Sequence, residues 1–170
     1  MKKLIADIKD RLVNKVQTLK YIDEDWGQLD YYNPNQPTKW PCVLIDISQA
    51  VWANEGKLIQ PGLVQVSIRV ADMRISNSNI KAPEAQRINA QGIFDQMTFI
   101  HQALHGWTAD SMNGPLTRTL TRKVKRDDGI REFEMIYSVQ LIDDSAAPVT
   151  AVYPMTPPKI RVTVERVTAD

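Results

Sequence analysis

Val64-Gln65-Val66-Ser67-Ile68-Arg69-Val70-Ala71 is the stretch on which the fold turns. Val64, Val66, Ile68 and Val70 recur at every second position, with Gln65, Ser67 and Arg69 between them. Side chains alternate across a strand, so this period predicts a strand with one buried face. A second stretch has the same form. Phe133, Met135, Tyr137, Val139 and Leu141 alternate within residues 131–143. Residues 116–125 make another extended arm before them, and Asp127-Asp128-Gly129 between the arms is hairpin-turn chemistry. Strands with one apolar face need a second layer to cover it.

Two amphipathic helices supply that layer. Leu4, Ile5, Ile8, Leu12, Val16 and Leu19 recur at three- and four-residue spacing, predicting a helix over residues 3–20. Pro83-Glu84 suits the first turn of a second helix, which runs to about His105. Ile93, Phe94, Met97, Ile100 and Leu104 form its apolar stripe, and Gly106 suits its C-terminal cap. Between them, Pro41 leads into a strand over 42–47, whose run Val43-Leu44-Ile45 predicts burial on nearly both faces. Residues 48–62 read as a connection, with turn signals at Asn54-Glu55-Gly56-Lys57 and Pro61-Gly62. Residues 75–82 read as a loop. The order predicts an α+β fold, a mostly antiparallel sheet with two main helices packed on one face.

The composition sets outer bounds. Among 170 residues, Lys and Arg total 21 and Asp and Glu 20, a net charge of +1. A chain that coated itself in nucleic acid would be clearly basic, so only local basic patches remain. Asp7 and Asp10 interrupt any leader-like apolar run, and no apolar stretch approaches the ~18 residues of a membrane span. The single cysteine excludes an intramolecular disulfide and a cysteine-cluster zinc site. These features point to a soluble protein of a reducing interior.

Candidate chemistry is sparse. His101 and His105 stand four apart on the second helix, the spacing of a metal pair. Gln102 occupies the position where a zincin-like motif needs its glutamate, and there is no third histidine. Cys42 opens an apolar strand and reads as a packing residue. Asp127-Asp128 and Asp143-Asp144 are paired acids, but turn chemistry accounts for the first pair and no third acid completes either. There is no glycine-rich phosphate loop, and the four tryptophans are scattered. No cofactor, metal or catalytic residue is therefore expected. One charge asymmetry stands out: Arg118, Arg122, Lys123, Lys125 and Arg126 cluster on the outgoing arm with no acid among them. Strand parity puts Arg118, Leu120, Arg122 and Val124 on one face and Thr119, Thr121, Lys123 and Lys125 on the other. Such an arm either contacts phosphates or an acidic partner, or is a charged edge that resists aggregation.

The order and spacing of these pieces carry a resemblance. They are the first helix, the segment from Trp26-Gly27 through Pro41 into Val43-Leu44-Ile45-Asp46, the strand ending at Val70, the helix closing on Ala103-Leu104-His105-Gly106-Trp107, and the basic hairpin ending at Asp143. Together, over residues 1–144, the chain resembles the small tail-completion or tail-terminator proteins of tailed bacteriophages and prophages, of the lambda type. The resemblance implies a structural protein and no enzyme. It implies a ring, typically hexameric, that caps the tail tube, ends its polymerisation and presents a surface to the head. The implied partners are other copies of the chain, the tail tube protein and head-neck connector proteins. DNA passes through the channel, and no membrane is involved. The implied location is the virion tail or neck, after synthesis in the bacterial cytoplasm.

Residues 145–170 depart from that pattern. Pro148, Pro154, Pro157 and Pro158 make a semi-rigid linker, and Ile160, Val162 and Val164 alternate as a last strand. That strand either exchanges into a neighbouring subunit or completes its own sheet. Two other functions stay open: a head-completion, neck or contractile-tail-like subunit, and a small nucleic-acid-binding module using the hairpin 116–141.

Overall fold

The two alternating stretches lie side by side at the centre of one sheet. The computed structural model describes residues 1–30, 38–56, 58–73 and 75–147. Helix α1 (Lys2–Lys15) is followed by strands β1 (Tyr21–Glu24), β2 (Cys42–Trp52) and β3 (Gln60–Met73). Helix α2 (Glu84–Leu104) then leads to the hairpin of β4 (Thr117–Val124) and β5 (Ile130–Asp143). The sheet order is β1-β2-β3-β5-β4. Only β1 and β2 run parallel. The fold is α+β with a mostly antiparallel sheet.

The antiparallel register sets Val64 against Val139, Val66 against Tyr137, Ile68 against Met135 and Val70 against Phe133. All of these but Phe133 are buried. Leu4, Ile8 and Leu12 of α1 and Ile93, Ile100 and Leu104 of α2 close over this face. Each such aliphatic side chain contributes about 1.5–3 kcal/mol by leaving water. Phe94, expected in the stripe, is half exposed and lies against Phe133 with ring centroids 5.4 Å apart. After α2, Gly106 takes φ 77°, a left-handed conformation that glycine adopts without a Cβ clash. Its N–H donates to the Leu116 carbonyl at 2.8 Å, and Leu116 N–H donates to the Trp107 carbonyl at 2.9 Å. This clasp sets where β4 begins.

Three expectations are corrected. The first helix ends at Lys15 and not near residue 20, because Val16 leaves the helical region at φ −127°, ψ 70°. The following residues serve the sheet instead: Lys20 N–H donates to the Pro41 carbonyl at 2.9 Å and β1 pairs with residues 42–45. The expected connection over residues 48–62 is shorter than read, since β2 runs on to Trp52 and β3 begins at Gln60, with Gln49 to Trp52 paired to Gln65 to Gly62; the turn at Asn54-Glu55-Gly56 stands between them. A bulge at Ser48 breaks the alternation that would have revealed this. The third concerns β4. A bulge at Thr119 places Arg118 opposite Tyr137 but Leu120 opposite Ile136, so Arg118 and Leu120 lie on different faces. Ile160, Val162 and Val164 lie outside the described residues.

Candidate functional site

The sheet face away from the helices divides in two. At one end a smaller apolar cluster of Leu29, Cys42, Leu44, Ala71 and Ile130 is covered by the segment after β1. Burial pushes the Cys42 thiol up to about 12, which keeps it protonated. Beside that cluster lies a shallow polar depression of about 300 Å³, lined in part by Asp25, Asp46, Ser67, Arg69, Arg122 and Glu134.

Arg69 organises the depression. It is a polar position of the alternating strand β3, so it points away from the helices. Its Nε donates to Glu132 Oε1 at 2.5 Å, its Nη1 to Asp25 Oδ2 at 2.5 Å and its Nη2 to Asp30 Oδ1 at 3.1 Å. Burial works against the Arg69 charge, but the bonds to Glu132, Asp30 and Asp25 outweigh it and raise its pKa. Arg126 holds the other oxygen of Glu132 at 2.9 Å and Asp128 at 2.5 Å, and donates to the Leu29 carbonyl. Arg122 and Ser67 share Glu134, at 2.5 and 2.7 Å. Burial alone would raise the Glu134 pKa, but these two donors draw it below its ordinary value.

The hairpin cluster is thus split. Arg122 and Arg126 are bound to carboxylates of the same chain. Arg118, Lys123 and Lys125 make no ion pair among the described residues, and both lysines are exposed. The Arg118 guanidinium lies 3.9 Å from Met135 Sδ, on the helix side of the sheet. Sequence reasoning did not single out Arg69, Asp25, Asp30 or Glu132. The only available signal was a pair of acids at the polar positions of an alternating strand, which ordinarily face water.

The histidines stack on one side of α2, their ring centroids 4.7 Å apart. His101 Nδ1 lies 3.4 Å from the Tyr137 hydroxyl, and the Arg118 N–H donates to His105 Nδ1 at 3.2 Å. Partial burial lowers the His101 pKa, helped by Arg118 and His105. The acids of the turns serve local structure: Asp128 accepts from the Ile130 N–H and Asp143 from the Ser145 N–H. Among the described residues, no group of three or more His, Cys, Asp or Glu is placed to hold a metal ion. No helix among them is long and apolar enough to cross a membrane. The central carboxylates of the polar face, Glu132 and Glu134, accept from guanidinium groups of the same chain.

No protein family and no curated protein matches the sequence. Among solved structures, the fold is similar to that of a chain described as "Virion of native gene transfer agent (GTA) particle", with a TM-score of 0.57. The two chains share a fold. The match covers 82% of this chain and 95% of that one, at 12% identity.

Proposed function

We propose that this chain is a structural subunit of a phage-like particle, which assembles as a ring, most simply a hexamer, at the end of a tail tube. The ring would end tube polymerisation and offer the head its joining surface, with the tail tube protein and head-neck connectors as partners. The observation that carries this reading is the shared fold over nearly the whole of a chain from a gene transfer agent virion. The order of elements that resembles tail terminators supports the finer assignment. The committed charges of the polar face fit a scaffold more than a reactive centre. The basic hairpin supports DNA contact only in passing, because two of the five cations on its outgoing arm are held by carboxylates of the same chain.

The test is assembly. Light scattering over a wide concentration range should show a closed oligomer, and addition to growing tail tubes should shorten them. Tubes of unchanged length with a chain that stays monomeric would overturn the reading.

A further inference from the structure

The two edges of the sheet are protected differently. β4 carries Arg118, Arg122 and Lys123, charges that discourage another strand from adding. β2 has no lysine or arginine along its whole length. β1 covers only residues 42–45 of it, so among the described residues no strand lies outside 46–52. Along this open stretch Ile47, Ala50 and Trp52 pack against the main core but remain half-buried. Asp46 and Gln49 are exposed on the opposite side.

The chain leaves the sheet at the same end. Leu141, Gly62 and Trp52 stand side by side across β5, β3 and β2. From β5 to a strand added outside β2 is three strand spacings, about 14 Å. Residues 148–158 contain Pro148, Pro154, Pro157 and Pro158. Eleven residues of a proline-rich chain can reach up to about 34 Å, enough to bring the following residues to the edge of a neighbouring copy. Beyond it, Ile160, Val162 and Val164 alternate with Arg161, Thr163 and Glu165.

We propose that residues 159–166 add as a strand to the open edge 46–52 of β2 in a neighbouring copy. This rests on the reading that copies of the chain assemble with one another. The pattern fits the edge on both faces. Ile160, Val162 and Val164 cover Ile47, Ala50 and Trp52, and Arg161 comes to the side of Asp46. Lys159, Arg161 and Arg166 outnumber Glu165, so the segment is attracted by Asp46 and Glu55 and repelled by the basic edge of β4. The added strand supplies main-chain partners to an edge that no described strand pairs with.

The experiment uses the full chain. Subunits labelled with nitrogen-15 and unlabelled subunits are refolded together and treated with a carbodiimide, which joins Lys159 to Asp46 or Glu55 where they touch. Mixed-isotope cross-links are expected. Val162→Pro removes one main-chain donor from the segment without touching the described domain. It should abolish the cross-link and weaken association at least tenfold. Cross-links within one isotope only would mean that the strand closes its own sheet, and would overturn exchange. An oligomer of unchanged mass and stability in Val162→Pro would overturn exchange and leave the ring standing. A wild-type chain that stays monomeric would remove both.

Discussion

Arg69 and Glu132 meet diagonally across the central strand pair, with Arg69 Nε donating to Glu132 Oε1 at 2.5 Å. The residue opposite Arg69 is Glu134, and the residue opposite Glu132 is Ala71. The small Ala71 side chain leaves room for the guanidinium to lean toward Glu132. The Glu132 side chain is fully buried, and Arg126 holds its second oxygen.

Breaking this arrangement from one side should be costly. Removing one partner of a buried pair typically costs about 3–5 kcal/mol, because the other charge is left without compensation. Arg126 still reaches Glu132, so Arg69→Met should fall at the lower end of that range. Urea denaturation at neutral pH measures it. A loss below about 1 kcal/mol would show that Arg126 alone satisfies Glu132.

Stability should fall with acid in two steps. Partial burial lowers the His101 pKa, so the unfolded chain binds this proton more readily. That contribution is present above the unfolded histidine value of about 6.5 and is lost as pH falls through the lower folded value. The hydrogen bond from Arg69 holds Asp30 below its ordinary value, and that from Arg126 does the same for Asp128. Ser67 and Arg122 lower Glu134 against its burial. These contributions persist above the unfolded carboxylate values of about 4 and are lost as pH falls through the depressed folded ones. Melting temperatures from pH 8 to 3 should show both steps, and His101→Asn should remove the first alone.

Two glycines should respond in opposite senses. A Cβ added at Gly62 would collide with the Trp52 ring, so Gly62→Ala should cost about 1–3 kcal/mol. A Cβ added at Gly92 meets nothing within 4 Å. Gly92 lies inside α2, where alanine is favoured by up to about 1 kcal/mol, so Gly92→Ala should raise stability. Thermal melts of the two variants decide both points, and equal shifts would contradict the packing of Trp52 on Gly62.

The hairpin should show a limited salt dependence toward DNA. Of the five cations on its outgoing arm, only Arg118, Lys123 and Lys125 make no ion pair among the described residues, and Arg131 of the return arm is held by the Ala90 carbonyl and lies over the Phe94 ring. Three phosphate contacts give a slope of log K against log salt no steeper than about −2.7. Fluorescence anisotropy with duplex DNA measures it. A steeper slope would mean that Arg122 and Arg126 abandon their carboxylates on binding.

Particular elements show how far the sequence reaches. β3 and β5 were legible because one face of each meets helices and the other does not, so burial writes a period of two into the residues. α2 was legible from Pro83 and Gly106, where local backbone chemistry marks the ends. The extent of β2 was hidden by the bulge at Ser48, and the faces of β4 by the bulge at Thr119. One extra residue reverses the parity of all that follow, and neither bulge carries a residue type that announces it.

The sequence by itself determined the two helices, the alternating strands and the α+β class, because these follow from local periodicity and capping. It also determined that charge is balanced and that basic residues gather on one arm. Only the tertiary structure decided what those charges do. Arg69 comes to Asp25, Asp30 and Glu132, and Arg126 to Leu29 and Asp30, across separations that no local pattern encodes. Charge pairing depends on distance in space, and that distance is set by strand order and register.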